Sequence, residues 1–134
     1  MVSRPDPPFQ SLDPRTLLDL ARRLATDPDP AAQRAAGDRA YYAAFLFSRN
    51  DLAEKDHVTP SYNSDDHSHV QSVLRRPNIL GMFGDYENQL RRARNLMTYD
   101  TSAINKHSDL RSINWMIGKA AQIIEKVEQV PHRT

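Results

Sequence analysis

Apolar residues recur along this chain at spacings of three and four, and no segment alternates convincingly with period two, so helices are expected and strands are not. Asp13-Pro14 opens the first predicted helix: the carboxylate caps free amides and the proline takes the first helical position. Leu17, Leu20 and Leu24 follow on one face, and the helix should stop near Thr26, before DPDP. Asp29-Pro30 repeats the start signal and predicts a second helix to about Glu54. Its segment AYYAAFLF (40–47) is apolar on nearly every side, the mark of a helix enclosed by partners. Gly37 weakens this helix slightly. Residues 55–66 read as a polar loop containing Pro60, and His67–Arg75 as a short helix ended by Pro77. Residues 78–82 form a connector. Phe83, Tyr86, Leu90, Ala93 and Met97 make a stripe that predicts a helix over Leu90–Thr98. The last helix is expected to start near Ser108, with Leu110, Ile113, Ile117, Ala120, Ile124 and Val127 inward and Pro131 closing it. The prediction is an all-α, up-and-down bundle of four long helices plus one short helix, a single domain over residues 13–130 behind a proline-containing arm at 1–12.

Bulk composition narrows the function classes without choosing among them. The 134 residues suit one compact domain. A net charge of +1 gives no global attraction to nucleic acid, so any anion affinity must be local. With no cysteine, disulfides and thiolate metal sites are excluded. No apolar run approaches the roughly 20 residues of a membrane span, and the first residues lack the apolar core of a signal peptide, so a cytoplasmic protein with no membrane contact is expected. The four glycines form no phosphate-binding loop, and no nucleophile elbow or carboxylate pair is present. His57, His67 and His69 lie among Asp56, Asp65 and Asp66 but have no second cluster of matching spacing, and read as solvated surface rather than a metal site. No metal or cofactor is expected.

The stretch LRRARNLMTYD (90–100) carries the chemistry. On a helix, Arg92 faces solvent, and Arg91 is lateral, four residues after Glu87, where an exposed ion pair worth about 0.3–0.5 kcal/mol is expected. Arg94 lies at the border of the apolar stripe, roughly 70° from its centre. A half-desolvated guanidinium there needs a carboxylate, a carbonyl or a phosphate. Asp38 and Asp100 are its candidate acid partners, with Arg39 beside Asp38. Structural ion pairing is the commoner use of such an arginine; a phosphate site is the functional alternative. Tyr41 and Tyr42 could stack on bases but read first as core with hydroxyls bonded at the rim. Trp115 reads as a packing or dimer residue.

Three segments, RAAGDRAYYAAF (34–45), HSHVQSVLR (67–75) and RNLMTYD (94–100), in this order, resemble landmarks of the HEPN superfamily over about residues 13–129. The resemblance implies a HEPN-like helical bundle that forms a homodimer in prokaryotic defence or toxin–antitoxin systems. In active members, an Arg-x(4–6)-His motif from each subunit cuts RNA without metal: histidine handles the 2′-hydroxyl proton and arginine stabilises phosphoryl charge. Here Arg94 and Asn95 match the start of that motif, while Tyr99 occupies the histidine position and Asp100 follows it. A phenol with a pKa near 10 is a poor base where imidazole near 6.5 is well placed. His107 and His69 are candidate replacements for the imidazole.

Two functions follow from these readings. One is an RNA- or nucleotide-phosphate-binding protein, acting as a metal-independent endoribonuclease, that uses Arg94, Asn95, Tyr99 and His107 as catalytic candidates and Arg91, Asp38, Asp100 and His69 as binding candidates. The other is a non-catalytic dimeric interaction module that partners a nucleotidyltransferase or another defence protein, with Arg94 structural.

Overall fold

A computed structural model describes residues 10–102 and 112–134. Among the described residues it is an all-α bundle of five helices, α1 (Pro14–Ala25), α2 (Pro30–Glu54), α3 (Asp65–Leu74), α4 (Asp85–Tyr99) and α5 (Ile113–Glu128), with a 3₁₀ turn at Gly81–Gly84. Among the described residues there is no strand.

The two Asp-Pro signals work as read. Asp13 accepts from the Arg15 amide at 3.0 Å and Asp29 from the Ala31 amide at 2.9 Å, with proline opening each helix. α2 is the axis of the bundle, packed against α1, α3, α4 and α5. That explains its lack of a polar face: Ala36, Ala40, Tyr41, Ala43, Ala44, Phe45, Phe47 and Leu52 are all buried. Gly37 sits at a close approach of α4 to α2, where a larger residue would make the flexible Met97 side chain shift. A Cβ there would stand 2.6 Å from the Met97 sulfur, so its absence lets α4 close on α2. Gly84 is tighter still, since a Cβ would meet the Leu74 carbonyl oxygen at 2.3 Å.

Several boundaries differ from the sequence reading. In α1 the fully buried line is Pro14, Leu18 and Ala21, and Leu17, Leu20 and Leu24 flank it. The small Ala21 lets α2 approach along that line. α3 begins at Asp65, two residues early, and α4 at Asp85, because the 3₁₀ turn hands the chain directly into it. α5 starts at Ile113, where the Ser112 hydroxyl accepts from the Trp115 amide at 3.1 Å. Ser112 is therefore its cap, and Ser108 and Leu110, expected at the start of this helix, lie outside the described residues. Most of the proline-containing arm also lies outside them.

At the end of the bundle, Lys55 is buried, and its ammonium reaches Asp51 at 2.6 Å and the carbonyls of Val127 and Glu128 at 3.0 Å each. It thereby satisfies two last-turn acceptors of α5 and complements that helix's negative end. Arg34 does the same for α4, donating to the carbonyls of Met97 at 3.1 Å and Ser102 at 3.0 Å.

Candidate functional site

α4 presents Arg91 and Arg94 toward α2, and the structure gives the two different surroundings. Arg94 is held on every nitrogen: Nε donates to Asp38 at 2.8 Å, one terminal nitrogen to the Asn95 side-chain oxygen at 2.9 Å, and the other to the Tyr42 hydroxyl at 3.4 Å. Its guanidinium also lies 5.2 Å from the centre of the Tyr42 ring. Burial alone would lower its pKa, but the hydrogen bond and charge of Asp38 outweigh that, so the cation is held above its ordinary value. The second oxygen of Asp38 binds Arg39 at 2.6 Å. Of the two acids named from sequence, Asp38 is the partner. Asp100 instead accepts from the amide and hydroxyl of Ser102 just past α4.

Arg91 makes no hydrogen bond or ion pair among the described residues, and it is half-buried. The surface pair expected with Glu87 does not form, because Glu87 is fully buried. The reason is its register. Glu87 falls four residues after Phe83 and three before Leu90, on the apolar stripe itself. Neither of its carboxyl oxygens has a hydrogen-bond partner. Burial pushes its pKa up to about 7, against the opposing influence of the nearby Tyr41 hydroxyl and Arg91.

The imidazole of this site is His67, a residue the sequence reading left in solvent. His67, Val70 and Leu74 share one face of α3, and Val70 and Leu74 are fully buried. The ring stacks on Phe45, with centroids 4.1 Å apart, and stands edge-to-face with Tyr42 at 6.0 Å. Nδ1 hydrogen-bonds the Tyr41 hydroxyl at 2.5 Å. Burial lowers the His67 pKa below its ordinary value, Arg91 and Arg94 lower it further, and Asp66 opposes them. The ring is therefore neutral at neutral pH. Tyr41 is fully buried, and burial and then Glu87 push its phenol above the ordinary range. Glu87, Tyr41, His67 and Arg91 thus make a polar cluster set in apolar surroundings, with Tyr42 linking it to Arg94.

α3 is anchored so that His67 stays in place. Asp66 accepts from the Ser61 amide and hydroxyl at 2.8 and 2.7 Å and from the Tyr62 amide at 2.9 Å. Burial would raise its pKa, but those donors hold it below the usual carboxylate range. Tyr62 takes a left-handed φ of 60° in this loop, a strained conformation for an aromatic residue.

The remaining candidates do not join the cluster. Tyr99 is 79% exposed. With Arg92, Asn95, Leu96, Asp100, Thr101 and Ser102 it lines an open cleft of about 700 Å³. His69 is exposed on the far side of α3 from His67. His57 bonds the Pro131 carbonyl at 2.7 Å, and no three acidic or imidazole side chains converge as metal ligands among the described residues. His107 lies outside the described residues. The partly buried Trp115 packs edge-on to Tyr86 at 6.2 Å. No helix among the described residues is long and apolar enough to cross a membrane. No protein-family model matches the chain, and no curated protein and no solved structure matches it either.

Proposed function

We propose that this protein is a HEPN-like, RNA-phosphate-handling protein of a prokaryotic defence or toxin–antitoxin system, and that it acts as a metal-independent endoribonuclease through His67 and Arg91. The observation that carries this reading is a neutral imidazole seated beside an uncommitted guanidinium. A base with a pKa below its ordinary value is unprotonated at neutral pH, as proton abstraction requires. His67 takes the proton of a ribose 2′-hydroxyl, and the 2′-oxygen attacks the adjacent phosphorus. The bond to the 5′-oxygen breaks, and that oxygen takes a proton from water. Arg91 pairs with the phosphoryl oxygens as charge grows on them. Arg94 braces α4 against α2 and adds positive potential. In this reading His67, on α3, replaces the imidazole missing at Tyr99. The protein works in the cytoplasm as a homodimer, and the open cleft along Asn95 and Tyr99 is the face offered to the second copy.

A second reading is favoured by the saturation of Arg94. With every nitrogen occupied, the motif arginine is a bundle strut, and the protein is a non-catalytic module that partners a nucleotidyltransferase or another defence protein. Incubation of labelled RNA with the protein in excess EDTA separates the two. Cleavage by the wild type that His67→Gln abolishes, with helicity retained, is the expected result. Cleavage persisting in His67→Gln, or none by the wild type, overturns the ribonuclease reading.

A further inference from the structure

Tyr62 is 75% exposed, yet it is held from two sides. Its amide donates to Asp66, the residue immediately before His67, and its φ of 60° is one that an aromatic residue adopts only at a cost. Its ring lies against the Arg49 guanidinium, which is 5.0 Å from the ring centre. The same guanidinium lies over the Phe45 ring at 5.8 Å and is 3.8 Å from Asp66. Phe45 in turn carries the His67 imidazole, 4.1 Å away and inclined by 11°. Tyr62, Arg49, Phe45 and His67 thus form one continuous series of flat groups that starts in solvent and ends at the polar cluster. An exposed aromatic ring alone signals nothing. This ring adds little to the core, and it is fixed by the same carboxylate that anchors the helix bearing the imidazole.

We propose that Tyr62 is a stacking subsite for an unpaired nucleobase of a strand whose phosphate lies at His67 and Arg91. One face of the ring rests on Arg49, so the opposite face is the one open to a base. Every base presents a π face, so the contact selects an unpaired base rather than a sequence. Arg49 and Asp66 fix the ring before the strand arrives, which lowers the ordering cost of binding. Asp66 also compensates part of the Arg49 charge, so the contribution of this subsite is stacking more than attraction to phosphate. The contact series that ends at His67 places the base beside the group proposed to meet the phosphate. This subsite rests on the phosphate-handling reading of His67 and Arg91, but not on cleavage.

The experiment is fluorescence anisotropy of a dye-labelled 2′-O-methyl oligonucleotide, which has no 2′-hydroxyl to react, titrated with the full-length protein. A strand of the same length built from abasic units is titrated beside it. Tyr62→Ala is expected to bind the base-bearing strand about 5- to 150-fold more weakly than the wild type, the range for one lost base–aromatic stack. Tyr62→Phe, which keeps the ring, should stay within about 2-fold of the wild type. The abasic strand should bind all three proteins alike, and the wild type more weakly than the base-bearing strand does. Equal affinity of Tyr62→Ala and the wild type for the base-bearing strand, including no binding by either, overturns the proposal and gives the ring to another occupant. A loss that Tyr62→Ala shows equally on the abasic strand, or that Tyr62→Phe shares in full, overturns it too, since neither is the loss of a stack. Stacking at Tyr62 without cleavage of RNA in EDTA removes the ribonuclease reading and supports the subsite. Cleavage with no effect at Tyr62 does the reverse.

Discussion

Lys55 and Glu87 are both withdrawn from water, and the chain treats them differently. Lys55 has a carboxylate at 2.6 Å and two helix-end carbonyls at 3.0 Å. The ammonium neutralises the carboxylate and gives each carbonyl its donor, completing the end of α5. Glu87 is buried more deeply, yet its oxygens have no partner, and its neighbours are a phenol shared with an imidazole and an unpaired arginine. A buried charge that satisfies its surroundings is accounted for by folding. One that does not is sustained by the rest of the bundle, and such groups concentrate at functional sites.

The contrast can be broken most forcefully at Lys55. Lys55→Met leaves Asp51 without its counter-ion and two carbonyls without their donor, and should destabilise by about 3–5 kcal/mol, read as a fall in the urea midpoint. A loss under about 1 kcal/mol would place Lys55 in the same class as Glu87. Next comes the pH dependence of Glu87→Gln. The folded pKa is raised from 4.5 to about 7, so the folded state holds the proton more tightly. The stability contribution of Glu87 is full below the unfolded value and is lost as pH rises through the folded one. Glu87→Gln should therefore gain on the wild type between these two values, reaching an advantage of roughly 3 kcal/mol above them. Parallel stability–pH curves for the two proteins would mean that Glu87 titrates normally.

Smaller effects sharpen the comparison between the two arginines. Arg94→Gln removes charged hydrogen bonds to Asp38 and should cost about 1.5–3 kcal/mol, while Arg91→Gln should stay within about 0.5 kcal/mol of the wild type. Thermal melts of the two variants check both values. Equal losses would mean that Arg91 has a structural partner after all.

What the sequence makes legible is what local chemistry decides. The Asp13-Pro14 and Asp29-Pro30 starts, the enclosed α2 and the border position of Arg94 all depend on neighbours a few residues away. The buried face of α1 was misplaced because the line of closest helix approach runs through Ala21, a residue that apolar counting undervalues, and the larger leucines flank it. The cluster was missed for a related reason. Glu87 lies on the Phe83–Leu90 stripe and His67 on the Val70–Leu74 face, so both spacings were visible. Local rules instead paired Glu87 with Arg91 across one turn, for a few tenths of a kcal/mol, and left His67 on the solvated surface. Burial against α2 outweighs that pairing. Only the packing of α2, α3 and α4 brings Tyr41, His67 and Glu87 together, from positions 26 and 20 residues apart in the chain.

The division of labour between the arginines is the centre of this account, and RNA cleavage in excess EDTA by Arg91→Gln, with its melting temperature taken on the same preparation, tests it most directly. The prediction is a loss of about 10²-fold or more in cleavage rate at an unchanged melting temperature. Arg91→Gln cleaving as fast as the wild type would contradict it.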